Sequence, residues 1–376
     1  MKVFLTPEQI ENQQRFRDFV KQNILPVADK IDEKQNVPDE IIAAIAREGY
    51  LGALTPGDFE GADMDLITYG LLNEEFGQGC SSVRTLITVQ NMVSGIIRRW
   101  GSPRQKEQWL RSLATGEKIA SFALTEPEHG SDAYNLETTI AEERDHLIIN
   151  GRKKWISFGQ IADLFITFGQ SDKRLRAVII ERDTPGLMIN PQKDHLGLRG
   201  SMLAEIRFNN CRILKENQIG GTGFGLNPVG FTALDLGRYS IAWGCVGMAA
   251  ACLDSSITYA GERKQFGVKL SENQLIKRLL TNMMTDAEAA RLLCYKAGVL
   301  KEENDPGAIN AVMMAKYYAS GMAVRVAGDA VQIHGANGFS RNYPVERFYR
   351  DAKIMTMIEG SDQMMQLMIS KYGGLS

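Results

Sequence analysis

Cysteine is scarce and scattered. Cys80, Cys211, Cys245, Cys252 and Cys294 are the only five in 376 residues, and they lack CxxC or Cys/His ligand spacing. An odd, unspaced set excludes a disulfide framework or a zinc cluster as the organising device and fits a reducing compartment. Charge of either sign is not in excess: Lys+Arg 43 against Asp+Glu 45 gives −2, with no basic block. That excludes the electrostatic footprint of a nucleic-acid binder. No apolar run approaches the roughly 18 residues of a membrane span, and "MKVFLTPEQIENQQ" turns polar after five residues. The expectation is a soluble cytoplasmic protein with neither nucleic-acid nor membrane partners. No internal repeat or low-complexity segment is found, and the length suits two or three domains.

What is present changes character twice along the chain. From Thr6 to about Leu113 apolar residues recur at helical spacing, as at Ile41, Ile42, Ile45 and Ala46, with Thr6-Pro7 as cap and first turn. Between about Ser121 and Gly220 the period becomes two: Ala204, Ile206 and Phe208 would share one face and Glu205 and Arg207 the other. "GGTGFGLNP" lacks the lysine and strand-to-helix setting of a phosphate loop and reads as a hinge. Helical periodicity then resumes, with Ser271 and Gln274 in capping-box spacing ahead of Ile276, Leu279, Leu280, Met283, Met284 and Ala287. The expected fold is mainly α with an inserted β domain: residues 1–118 helical, 119–222 β, and 223–376 a helical bundle.

Several stretches carry chemistry, each with a plainer reading beside it. "KIMTMIEGSDQMM", residues 353–365, sets Glu359 behind isoleucines and methionines. Burial would raise its pKa toward the range of a general base, whereas a surface glutamate would simply face water. "FALTEPEHGSD", 122–132, is either an ordinary turn or a loop offering N–H and hydroxyl groups to a polar ring or phosphate. In "KKWISFGQIADLF", 153–165, strand alternation puts Trp155 and Ser157 on one face, an aromatic plate beside a hydroxyl that suits a flat heterocycle. "GERKQFG", 261–267, pairs Arg263 with Phe266, able to hold a phosphate and stack a purine.

Taken in order, "ALTEPEHGSD", "KKWISFGQIAD", "LGLRGSMLAEIRF", "ERKQFGVKLSENQLIK", "QIHGANGF" and "YRDAKIMTMIEGS" resemble the flavin-dependent acyl-CoA dehydrogenases over essentially the whole chain. The resemblance implies an N-terminal α domain, a central β domain and a C-terminal four-helix bundle. It also implies FAD shared across an interface of a homotetramer or homodimer, and Glu359 as the base. By the same resemblance Phe122, Leu124, Thr125 and Ser131 line the flavin, with Trp155 and Ser157 beside its ring. Arg263 and Phe266 reach a neighbouring subunit's FAD, and Gln332, Gly335 and Ala336 form a turn at its pyrophosphate. Ser361 and Gln363 make further cofactor contacts. The family more often has threonine at position 157 and glycine at 336. A subset places its base immediately before the arginine of an "LDLxR" stretch; here that residue is Gly237, which leaves Glu359 for the role.

The family chemistry removes the α proton of an acyl thioester with the base while hydride leaves the β carbon for flavin. Arg238 either supports the base region or forms a structural salt bridge. Within the family, "LGLRGSMLAEIRFNNCRI" and "LDLGRYSIAWG" look most like the branch that oxidises acyl groups on an acyl carrier protein for hydroxy- or methoxymalonyl-type polyketide extender units. Glutaryl-CoA dehydrogenases and short-chain acyl-CoA dehydrogenases are the alternatives. Arg84, in "CSSVRTLITVQNMVSG", is a lone cation on a core-facing segment. It either snorkels to water or, as the resemblance to glutaryl-type relatives implies, binds the polar far end of a small acyl chain.

Overall fold

A computed structural model describes residues 5–172 and 174–374. Its helices begin with α1 (Pro7–Phe19), α2 (Ala28–Lys34), α3 (Asp39–Arg47), α4 (Leu66–Gly79), α5 (Ser81–Trp100) and α6 (Pro103–Ala114). The start of α1 follows from its sequence: the Thr6 hydroxyl accepts the Gln9 N–H, the Gln9 side chain accepts the Thr6 N–H, and Pro7 opens the first turn. The apolar spacing in α3 buries Ile41 and Ile45.

Eight strands follow: β1 (Ala120–Ala123), β2 (Thr139–Glu143), β3 (His146–Ile156), β4 (Leu164–Ser171), β5 (Arg174–Glu181), β6 (Leu187–Pro191), β7 (Ala204–Leu214) and β8 (Gln218–Ile219). They form one sheet in the order β6-β7-β3-β2-β4-β5-β8, with β1 parallel to β4. Alternation along β7 is as the sequence implies: Ala204, Ile206 and Phe208 join Leu147 and Ile149 in a separate sheet core, and Arg207 is exposed. Glu205, on the opposite face, is nevertheless buried and paired with Arg207.

The chain then enters α7 (Phe231–Glu262), a hairpin of β9 (Lys264–Gln265) and β10 (Val268–Lys269), and the helices α8 (Gln274–Glu302), α9 (Ala308–His334), α10 (Val345–Met355) and α11 (Asp362–Tyr372). With the turn preceding it, α7 is long and apolar enough to cross a bilayer, with mean hydropathy 1.3 over its best window. Its surroundings explain that composition, because it packs against α4, α5, α8 and α9 as the central helix of the molecule. Glycine permits the closest of these contacts. A Cβ on Gly77 of α4 would lie 2.3 Å from the Gly244 carbonyl oxygen of α7, so the two backbones meet directly.

Three local expectations are corrected. Residues 220–228 are not a free hinge: Gly225 sits against the Leu175–Arg176 backbone of β5, and Leu226 and Val229 are buried. Gly220 and Gly223 take positive φ before that, which accounts for the glycine-rich composition. The Ser271–Gln274 capping box does not form. A short 3-10 turn, Leu270–Glu272, precedes α8, whose N-cap is Asn273 without a side-chain bond. Finally, β3 does not alternate evenly through Trp155 and Ser157. Its register against β7 shifts between Lys153 and Ile156, Trp155 adopts φ 63°, and the strand stops before Ser157. A bulge of this kind re-aims the side chain it carries.

Candidate functional site

The turn after α10 carries Glu359 in the left-handed region, φ 55°, followed by Gly360 at φ 98°. Two consecutive residues of positive φ reverse the chain before Ser361 caps α11 by accepting the Met364 N–H at 3.3 Å. The reversal lays the Glu359 carboxylate on Gly237 of α7: a Cβ there would lie 2.7 Å from both Cδ and Oε2. Any larger residue at 237 would occupy the volume the carboxylate now fills. Glu359 is half-buried overall, and its Oε2 is shielded from water without a hydrogen-bond partner. Burial pushes its pKa up from 4.5 to about 7, against the opposing pull of Arg238, Lys316 and Arg84. Arg238 Nε donates to the Glu359 carbonyl at 2.9 Å, so this arginine grips the backbone of the turn. Its own pKa is lowered by burial and raised in part by Glu359 and Asp235.

Arg84 does not snorkel. It is 1 % exposed, its stem crosses Gly244, and Nη1 donates to Thr88 Oγ1 and Ser240 Oγ, both at 2.9 Å. Ser240 in turn donates to Asn73 Oδ1 at 2.6 Å. Among the described residues, Arg84 Nε and the Tyr69 hydroxyl are buried without partners, and none of the hydrogen-bond acceptors around the guanidinium is a carboxylate. Burial lowers the Arg84 pKa. Gly237, Ser240 and Gly244 are spaced i, i+3, i+7 along α7 and so share one face. That face presents the carboxylate over Gly237 and the guanidinium over Ser240 and Gly244, one to two helical turns further on, ~5–10 Å along the axis.

A second group gathers where β1 and β3 end. Phe122 and Leu124 lead into a loop holding Thr125 and Ser131, and the Lys154 N–H donates to the Thr125 carbonyl at 2.9 Å. Ser121 Oγ donates to the Ser157 carbonyl at 2.8 Å, which ties the two strand ends together. The bulge leaves Trp155 49 % exposed, with Lys154 Nζ 4.8 Å from its ring centroid. Residue-by-residue reading missed the anchor beneath. Lys153 Nζ, wholly buried, binds Glu126 Oε1 at 2.7 Å and the Leu124 carbonyl at 3.0 Å. Glu126 also accepts the backbone N–H groups of Glu137 and Thr138. Burial lowers the Lys153 pKa to about 8; for Glu126 burial acts upward, but Lys153 together with the hydrogen bonds from Thr138 and Glu137 outweighs it and the net shift is downward. Both residues lie inside the motifs quoted above, yet nothing in their spacing announces that they meet.

The remaining candidates lie on the outside. Phe266 is fully exposed at the tip of the β9–β10 hairpin, beside exposed Arg263. Gln332, Gly335 and Ala336 are exposed where α9 ends, and a Cβ on Gly335 would meet nothing within 4 Å. The two ends are held together by Tyr259, which stacks on His334 at 4.3 Å and accepts the Asn337 amide at 2.9 Å. Tyr259, Arg263, His334 and Tyr343 line an open concavity of about 530 Å³. A larger polar groove between α1 and α3, about 790 Å³, includes none of the candidates. An exposed indole, hydroxyls at 125, 131 and 157, and an open glycine turn near an arginine suit a flavin dinucleotide. Among the described residues no His, Cys, Asp or Glu cluster could hold a metal ion.

Three family models cover nearly the whole chain: the N-terminal domain of acyl-CoA dehydrogenase over residues 6–117, its middle domain over 121–211 and its C-terminal domain over 227–373. A rat mitochondrial short-chain specific acyl-CoA dehydrogenase is 36% identical over 95% of this chain and 88% of its own length. The structure of butyryl-CoA dehydrogenase from Megasphaera elsdenii superposes with a TM-score of 0.96 at 32% identity over 100% of both chains. A glutaryl-coenzyme A dehydrogenase bound to glutaryl-CoA gives 0.94 at 35%, covering 100% of this chain and 98% of that one. The prolyl acyl carrier protein oxidase AnaB gives 0.93 at 30%, covering 99% and 100%. FkbI, described as serving biosynthesis of a methoxymalonyl extender unit, gives 0.87 at 27%, covering 97% and 99%. The order helical, β, helical, the turn bearing Glu359 and these matches together show that the chain belongs to the acyl-CoA dehydrogenase family, FAD-dependent oxidoreductases acting on CH–CH donors.

Proposed function

We propose that Glu359 removes the α proton of a short acyl thioester whose far end is polar, and that Arg84 selects that end. The observation carrying this reading is a buried guanidinium with no carboxylate partner among the described residues, one to two turns along α7 from the half-buried Glu359 carboxylate, whose pKa burial pushes up to about 7. A base poised there is ionised in much of the protein at neutral pH and can still release its proton afterwards. Arg84, already surrounded by Thr88, Ser240 and Asn73, offers charge-assisted hydrogen bonds to a carboxylate or oxygen-rich group and penalises an alkyl tail that leaves it unpaired. FAD, when bound, accepts the hydride that leaves the β carbon. The proposed flavin-side residues are Phe122, Leu124, Thr125, Ser131, Trp155, Ser157, Ser361 and Gln363, with Lys153 and Glu126 holding the loop rigid. Arg238 keeps the turn in place through the Glu359 carbonyl.

Arg263, Phe266, Gln332, Gly335 and Ala336 are read as facing the flavin of another subunit. Their exposure supports this, as do the exposed apolar residues Leu275, Met284 and Leu367 on α8 and α11. A homotetramer or homodimer would cover them. The likeness to AnaB and FkbI supports an acyl carrier protein as carrier and an extender-unit type of acyl group. The five free cysteines accord with a cytoplasmic setting.

The competing reading, a plain short-chain acyl-CoA dehydrogenase, is favoured by the likeness to the rat and Megasphaera proteins. Anaerobic bleaching of the flavin separates the two when butyryl and carboxylated or hydroxylated acyl groups are offered on both coenzyme A and a carrier protein. Faster bleaching by the polar acyl groups supports the proposal. Equal bleaching by butyryl-CoA, unchanged in Arg84→Met, overturns it.

A further inference from the structure

Two cations grip the turn that carries Glu359. Arg238, from α7, takes the carbonyl of residue 359; Lys316, from α9, takes the next one, donating from Nζ to the Gly360 carbonyl at 2.9 Å. Lys316 has no exposed surface, a costly setting for an ammonium group unless it is paired and hydrogen-bonded. Its counter-charge is Asp362, whose Oδ1 lies 3.4 Å from Nζ and also accepts the Ser320 hydroxyl at 3.0 Å. Lys316 and Ser320, one turn apart on α9, therefore hold the segment immediately after the base from a second helix. A methionine would fill the same volume without the desolvation cost, so the charge at this position calls for a role.

We infer that Lys316 and Asp362 form a positioning pair for Glu359, in which the ammonium fixes the Gly360 carbonyl and places positive charge behind the base while Asp362 withdraws part of that charge. This rests on the reading of Glu359 as the base. The charged groups acting on Glu359 are Arg238 from α7, Lys316 from α9 and Arg84 from α5, and all three favour its ionised form against burial. Those acting on Lys316 are Asp362 from α11 and Cys245 and Arg238 from α7. Removing the lysine thus favours the protonated acid, whereas removing the aspartate leaves the lysine's charge less compensated and favours the carboxylate. A pair that only braces α9 and α11, without its charge reaching the carboxylate, would leave the titration of Glu359 where it is.

The test follows the pH profile of anaerobic flavin reduction by a bleaching thioester in the holoenzyme. The infrared carboxylic-acid band of Glu359 is titrated in parallel in the oxidised holoenzyme, with Glu359→Gln as the blank. Lys316→Met should move both inflections up by about one pH unit, and Asp362→Asn should move both down by a smaller amount. Inflections that stay in place, or move the same way in both variants, overturn the proposal whatever happens to the rate or to Tm. If Lys316→Met does not fold, Asp362→Asn decides: a downward shift supports the pair and an unmoved band overturns it. Failure of the underlying reading looks different, because Glu359→Gln would then reduce its flavin at the wild-type rate.

Discussion

The inner and outer parts of the proposed site are built on opposite plans. Inside, Glu359, Arg84, Arg238 and Lys316 are charged groups drawn into the protein and fixed by named hydrogen bonds, so their chemistry is set by desolvation within one chain. Outside, Arg263, Phe266, Gln332 and Gly335 are exposed, with Phe266 fully so. The inner groups all lie within one chain, whereas on the proposed reading the outer ones work only when another subunit covers them. Reactivity and cofactor retention should therefore respond to different mutations.

The strongest test of that separation is Glu359→Gln. The amide keeps the shape and loses the basicity, so flavin reduction should fall ~10³-fold, within the range for removing a general base, while FAD content stays at the wild-type level. A rate within about tenfold of wild type would break the assignment. Next is Arg84→Met, similar in length and uncharged. It should cost about 2 kcal/mol or more of transition-state binding for a polar acyl group, read as kcat/KM, again with FAD intact. The outer region should give the converse. Arg263→Ala should weaken FAD retention about tenfold or more, and gel filtration should find the oligomer loosened with it. Full flavin in an unchanged assembly would mean that Arg263 is only a surface charge.

The smallest effect concerns stability. The folded pKa of Glu359, about 7, lies above its ordinary 4.5, so the folded state holds the proton more tightly. The resulting stabilisation is fully present below pH 4.5 and is lost as pH rises through 7, with a ceiling of about 3 kcal/mol. Half-burial should bring the observable part to about 1 kcal/mol. Glu359→Gln should therefore unfold at higher temperature than wild type at pH 8, and the gap should close toward pH 4. A constant difference across that range would mean that the carboxylate is not desolvated as described.

The fold class was legible because helices and strands differ in apolar period over long stretches: Ile41 and Ile45 fall on one helical face, Ala204, Ile206 and Phe208 on one strand face. Glu359 stood out for a local reason, an acid followed by glycine after an apolar run. What could not be read depends on pairs remote in sequence. Lys153 meets Glu126, Lys316 meets Gly360, and Ser240 meets Arg84, each through tertiary packing that leaves no periodic trace. The even alternation expected through Trp155 and Ser157 fails for a related reason: a bulge depends on the partner strand β7 as much as on the residues it displaces. Arg84 reads either way in the sequence, since the same stem length that lets an arginine reach water also lets it cross Gly244 and stay inside.

The direct backbone contact between Gly77 and Gly244 also bears on how the chain is made. The α7 partner of α4 is encoded beyond the entire sheet, so α4 leaves the ribosome before that part of the surface it packs on exists. At about 5–20 residues per second, α4 waits about 10–30 s for α7. During that interval the face of α4 that meets α7 is uncovered, while the intervening sheet, with its own core of Ile149, Ile206 and Phe208, can fold first and bring the two ends together.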